Sequence, residues 1–160
     1  MEKHPIPPFY TKESKILILG SFPSVKSREM KFYYGHPQNR FWKVIAKITN
    51  QNEPVTIEEK KKLLLDSNIA IWDVIASCSI QGSSDTSIKD VVVNDFSKIL
   101  ENSKVERIYV NGGKAYELYH KYAEKVTGIK AVKLPSTSPA NAAWGFEKLV
   151  EVWKKTIKIQ

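Results

Sequence analysis

Lys15–Ser27 reads KILILGSFPSVKS. Its first half, Lys15–Leu19, is a short apolar run without a polar side, which suits a strand buried on both faces. Gly20 ends the run, and the Ser/Pro-rich Gly20–Ser27 that follows reads as a turn. Three further stretches repeat the pattern: Asn68–Val74 (NIAIWDV), Glu106–Val110 (ERIYV) and Ile129–Leu134 (IKAVKL). Helical periodicity fills the gaps between them. Phe41, Ile45 and Ile48 share a face within Asn39–Ile48, and Thr56 with Glu59 forms a capping box ahead of Leu63–Leu65. Asn94 is expected to cap a helix through Ile99 and Leu100, and Gly112-Gly113 to open one running from Lys114 to about Lys125. From Gly145 onward, Phe146, Leu149, Val150, Trp153 and Ile157 form one stripe. Strands alternating with helices predict an α/β fold, a three-layer α/β/α sandwich around a central, mainly parallel four-stranded sheet. In such sheets the ligand crevice lies beyond the C-terminal ends of the strands.

The 160 residues fit one domain, 1–160, with 1–14 as an extended N-terminal segment. Neither repeats nor low-complexity tracts interrupt it. The apolar runs are too short to cross a bilayer. Met1–Tyr10 holds three prolines and no leader-like apolar core, so an intracellular, cytoplasmic protein is expected. A lone cysteine, Cys78, excludes an internal disulfide and cannot hold an iron–sulfur cluster. The net charge is +8, from 25 Lys+Arg against 17 Asp+Glu, which favours a polyanionic partner without proving one.

Four segments follow the expected strands: Gly20–Ser27, Asp73–Gln81, Asn111–Lys114 and Pro135–Asn141 (PSTSPAN). They are rich in hydroxyls, amides and glycine, groups that suit phosphates and base edges as well as ordinary turns. Phe32–Trp42, FYYGHPQNRFW, is the most unusual stretch. Phe41 and Trp42 fall in the expected helix and read as core, whereas Tyr33 and Tyr34 precede it and could stack on a base. Gly112-Gly113-Lys114 lacks the spacing of a phosphate loop. His4, His36 and His120 are too scattered for a metal site, and no nucleophile elbow is present.

Gly20–Ser24 (GSFPS), Tyr34–Trp42 (YGHPQNRFW) and Ser136–Ala140 (STSPA) together resemble the uracil-DNA glycosylase superfamily. Within it, the chain is most similar to the hypoxanthine-DNA (deoxyinosine) glycosylase family, from about Ile16 to Trp153. The mismatch-specific branch shares the HP-x-NRFW element but carries asparagine where this chain has Phe22. The uracil-specific enzymes place an aspartate in the first motif and a histidine in the last. Here no aspartate lies between Gly20 and Trp42, and Ser136 takes the histidine's position. The resemblance implies a monofunctional hydrolase of the N-glycosyl bond of a deaminated base in DNA, acting in base excision repair as a monomer without metal or other cofactor. By the same resemblance Asn39 is the catalytic residue, holding water against the sugar C1′. Tyr34 stacks on the flipped base, and Gly20, Ser21, Phe22 and Pro23 line its pocket. Asp73 and Asn111 are further pocket candidates. Ser136, Thr137, Ser138 and Asn141 press on the DNA, with Ser24, Lys26 and Arg28 as additional contacts.

The chemistry is self-consistent. Rotating a base out of the duplex costs a few kcal/mol, which stacking and pocket hydrogen bonds can offset. Cleavage puts positive charge on the sugar and negative charge on the base, so electrostatic stabilisation matters more than a strong nucleophile. An amide can orient water, though Asn39 could equally cap the helix behind it. Asp73 could read the N1–H of hypoxanthine or merely cap its turn. A lysine nucleophile needs burial, and the lysines here cluster on helix surfaces. Two rival readings remain: a mismatch-directed uracil/thymine glycosylase, and a non-catalytic lesion-binding protein of the same fold.

Overall fold

The computed structural model describes residues 1–157, so the last three positions of the expected domain lie outside the described residues. Its central sheet has the order β3-β2-β6-β7, built from β2 (Ile16–Gly20), β3 (Ile69–Asp73), β6 (Arg107–Asn111) and β7 (Ala131–Leu134). Every pairing in it is parallel. Side chains alternate across the pleat and both faces are covered. Ile16, Ile18, Ile69, Ile71 and Tyr109 enter one core; Leu17, Leu19, Ala70, Ile108 and Val110 enter the other. Each fully buried aliphatic side chain contributes about 1.5–3 kcal/mol by leaving water.

The first core is closed by α2 (Phe41–Ile48), α3 (Ile57–Ser67) and α7 (Phe146–Thr156), through Phe41, Ile45, Leu64, Leu149 and Trp153. The capping box of α3 is present, with Thr56 accepting from the Glu59 N–H and Glu59 from the Thr56 N–H. Leu63 and Leu64 are buried, but Leu65 is exposed. The second core is closed by α4 (Ser97–Glu101) and by a continuous helical segment. That segment runs through α5 (Gly113–Leu118), a π-helical turn at Tyr119–Ala123 and α6 (Glu124–Thr127). The Tyr119 side chain is fully buried, and its hydroxyl donates to the Ile129 carbonyl at 2.6 Å, tying the π turn to the start of the next connection.

Two features depart from expectation. Asp73–Gln81 is not one loop, because it contains β4 (Ile75–Ser79). With β1 (Glu2–Lys3) and β5 (Lys89–Val93) this strand forms a second, antiparallel sheet of order β1-β4-β5. The N-terminal segment therefore is woven in, and Phe9 bridges Ile71 to shield the free edge of β3. Second, Asn94 does not cap α4. Its amide donates to the carbonyls of Asp73 and Ile75, and Asp95 instead accepts from the Ser97 N–H. Asn94 thus fixes the chain where it leaves the central sheet. Among the described residues, no helix is long and apolar enough to cross a membrane.

Candidate active site

A cavity of about 270 Å³ opens at the C-terminal ends of the parallel strands. It falls just below the roughly 300–1,000 Å³ usual for drug-sized ligands, a scale suited to a single base. Gly20–Ser24 after β2, Asp73 at the end of β3, Asn111 at the end of β6 and Ser136–Ala140 after β7 all border it. Tyr34 and Asn39, from the segment between α1 (Val25–Met30) and α2, complete the wall. Sequence reasoning missed Ser83 and Asp85, from the connection between β4 and β5.

Asn39 sits two residues ahead of α2. Its Oδ1 accepts from the Phe41 N–H at 2.9 Å and from the Thr137 hydroxyl at 2.9 Å. A backbone N–H can only donate, so the oxygen must face it and the amide orientation is unambiguous. Both lone pairs of Oδ1 are occupied. Among the described residues the amide nitrogen makes no hydrogen bond, and Asn39 borders the cavity. Capping and site roles therefore coexist: the oxygen starts the helix and the nitrogen is left over. Thr137 in turn accepts from the Asn111 amide at 3.0 Å, and its own N–H donates to Asn111 Oδ1 at 3.1 Å. The relay from the Asn111 amide through the Thr137 hydroxyl to Asn39 Oδ1 thus joins the ends of β6, β7 and the α2 entrance.

Tyr34 has φ +52°, a left-handed conformation that is unfavourable for a tyrosine. Gly35 follows it so closely against Ser27 that a Cβ would lie 3.3 Å from the Ser27 Cα, and its N–H donates to Ser27 Oγ at 2.8 Å. This clamp turns the Tyr34 ring onto Phe41, stacked at 3.9 Å with 12° between the planes. One ring face is therefore taken by the core. The Tyr34 hydroxyl is buried without a hydrogen bond of normal geometry. Burial, then the nearby Asp73 charge, push the phenol well above its ordinary range, while the Asn111 side chain opposes the rise. Tyr33 is core: it is buried and its hydroxyl donates to the Pro7 carbonyl.

Asp73 is 4% exposed. It stands level with Gly20 across the β2–β3 pair, and its Oδ1 lies only 2.5 Å from where a Cβ on Gly20 would be. Glycine is required there because the carboxylate occupies the side-chain space. The other oxygen, Oδ2, is 2.7 Å from His4 Nε2. Sequence reading discounted His4 as one of three scattered histidines; its partner is 69 positions away, beyond the reach of any local pattern. Asp85 accepts from the Ser21 hydroxyl at 2.8 Å. Burial of the carboxyl raises its pKa, opposed by that hydrogen bond.

Phe22 and Pro23 border the cavity as expected, and Phe22 packs edge-on against His4. Ser24 borders it too, while capping α1 by accepting from the Ser27 N–H. Ser136 and Ser138 lie on the rim and stabilise their own turn, Ser136 Oγ accepting from the Ser138 N–H. Thr137 is a correction: it is 0% exposed, so its hydroxyl braces Asn39 and cannot press on a phosphate. Arg28 is another: it donates to the Gly82 carbonyl, pairs with Glu2 and lies over Phe22, which leaves its guanidinium committed. Asn141 borders a neighbouring hollow and donates to the Ser136 carbonyl. Lys26 is exposed on α1 and does not border the cavity. Arg40 donates to the carbonyls of Ser138, Asn141 and Trp144, and so fixes the loop after β7. Among the described residues, no three His, Cys, Asp or Glu side chains cluster as metal ligands.

The sequence profile of the Uracil DNA glycosylase superfamily matches residues 7–157. A hypoxanthine DNA glycosylase of Methanosarcina acetivorans is 37% identical over 143 residues, covering 88% of this chain and 89% of that one. A hypoxanthine DNA glycosylase of Methanosarcina barkeri is 32% identical over the same shares. The solution NMR structure of a candidate uracil DNA glycosylase from Methanosarcina acetivorans superimposes with a TM-score of 0.81 at 35% identity, covering 96% of this chain and 95% of that one. Fold and near full-length similarity agree, and the chain belongs to the uracil DNA glycosylase superfamily.

Proposed function

We propose that this DNA glycosylase hydrolyses the N-glycosidic bond of deoxyinosine in DNA, releasing hypoxanthine and leaving an abasic site. The observation that carries the reading is that one cavity of about 270 Å³, a scale suited to a base, is bordered by both Asn39 and Tyr34. The curated relatives named for hypoxanthine support the choice of base. In the proposed step the C1′–N9 bond breaks and its electron pair leaves on N9. Water bonds to C1′ and releases a proton to solvent or to the departing base. Because both lone pairs of Asn39 Oδ1 are already used, Asn39 contributes N–H donors. One N–H donated to the water oxygen fixes its position while the second lone pair faces C1′. Attack on a sugar that already carries much positive charge needs a placed water more than a strong base. The Tyr34 face not stacked on Phe41 offers the base a platform. The protein is proposed to act as a monomer inside the cell, with no metal or other cofactor.

Oligonucleotides carrying deoxyinosine, deoxyuridine, thymine mispaired with guanine, and deoxyxanthosine test the reading. Abasic product is expected first from deoxyinosine. Product from uracil opposite guanine alone would move the assignment to the mismatch branch, and no product from any of them would leave a lesion binder.

A further inference from the structure

We propose that His4 and Asp73 together form a reader of deamination, in which the carboxylate accepts the ring N–H that deamination creates. This rests on the cavity being the base pocket. Deamination of adenine turns N1 from a lone-pair acceptor into an N–H donor, and deamination of cytosine does the same at N3. A fixed carboxylate oxygen attracts the product and repels the parent base. Asp73 has that form. Its Oδ1 lies at the cavity wall against Gly20 and makes no hydrogen bond among the described residues. Its Oδ2 is held at 2.7 Å by His4 Nε2.

The tautomer of His4 follows from geometry. His4 Nδ1 accepts from the Ile6 N–H at 3.2 Å, so the ring proton is on Nε2 and is donated to Asp73. Three things hold the imidazole: the His4 N–H bonded to the Ala76 carbonyl at 2.7 Å, edge contacts with Phe22 and Trp72, and a side chain only 3% exposed. His4 cannot touch a base behind Asp73. It is a positioning residue that keeps one carboxylate oxygen turned back and the other forward.

The arrangement makes an unusual demand on the Asp73→Asn variant. His4 Nε2–H still needs an acceptor, so the amide oxygen turns to His4 and the NH2 enters the cavity. The pocket then offers a donor, complementary to adenine N1 and mismatched to hypoxanthine. Discrimination can be read without chemistry from Kd, using oligonucleotides whose 2′-fluoro-arabino sugar resists cleavage, with hypoxanthine or adenine opposite an abasic analogue. Wild type should prefer hypoxanthine. Asp73→Asn should lower the preference about 100-fold or reverse it. His4→Ala should lower it about 10-fold, and His4→Gln, whose Nε2–H can reach the same oxygen, should restore it. A wild-type comparison with purine itself, which has a lone pair at N1 and no added bulk, reads the same contact without any protein variant. Equal wild-type affinity for hypoxanthine, adenine and purine overturns the proposal. So does a folded Asp73→Asn protein with unchanged preference, and a His4→Gln protein no better than His4→Ala removes His4 from it. If wild type excises uracil and not hypoxanthine, the substrate assignment fails separately, and the same Kd ratio is taken for uracil against cytosine.

Discussion

Asn39 and Asp73 border one cavity, yet they are braced from opposite ends of the chain. Asn39 is held by Thr137 and Asn111, through neutral hydroxyl and amide hydrogen bonds at the strand ends. Asp73 is held by His4, from a segment that pairs with the separate antiparallel sheet. The difference follows from charge. A neutral amide needs only modest partners, whereas a buried carboxylate left alone costs several kcal/mol and calls for a strong donor. Asn39 is thus tied to the ends of the parallel sheet and to the start of α2, whereas the bracing of Asp73 requires both sheets.

This contrast can be broken by single substitutions. Asn39→Ala should have the largest effect on turnover, with single-turnover product formation falling about 1,000-fold while DNA binding persists. Equal loss of binding would make Asn39 structural and erase the distinction between the walls. His4→Ala should lower unfolding free energy by about 3 kcal/mol, since it strands the Asp73 carboxylate; denaturant melts measure it.

Thr137→Val keeps the shape and removes only the hydroxyl. It should slow excision about 10-fold and cost about 1 kcal/mol of stability, less than His4→Ala because the lost bonds are neutral. A larger loss than His4→Ala would invert the comparison.

The unequal bracing also explains what could be read from the chain in advance. β2, β3 and β6 are buried on both faces, so KILIL and its counterparts announce themselves as apolar runs. β4 and β5 do not: Ile75–Ser79 carries two serines, and Lys89–Val93 is largely exposed or half-buried. β4 takes one partner, β1, from the far N-terminal segment, and pairs with β5 in a bulged register. In the site, Asn39 and Tyr34 stand within a distinctive motif. Thr137 lies in the STSPA motif, yet its bracing role stays hidden, because a Ser/Thr/Pro turn looks the same whether its hydroxyls face water or a neighbouring amide. His4 was invisible for a third reason, since a lone histidine acquires meaning only from Asp73.

Two smaller tests sharpen the picture on the cavity's other carboxylate and its phenol. Asp85 has a raised pKa, so folding favours its protonated form. Its contribution is present below the ordinary carboxylate pKa and is lost as pH rises through the raised value. Asp85→Asn, which cannot ionise, should therefore gain Tm relative to wild type as pH rises above the ordinary carboxylate range. Tyr34→Phe should change least: its hydroxyl is buried without a proper partner, so stability should stay level or rise by up to about 1 kcal/mol.

The left-handed backbone at Tyr34 has an evolutionary and practical corollary. Glycine or asparagine would relax that position, so any selection for thermal robustness alone would favour replacing the tyrosine. The replacement would remove the aromatic wall of the cavity. Sequence redesign guided by melting temperature would then drift toward a sturdier protein whose cavity has lost its tyrosine wall.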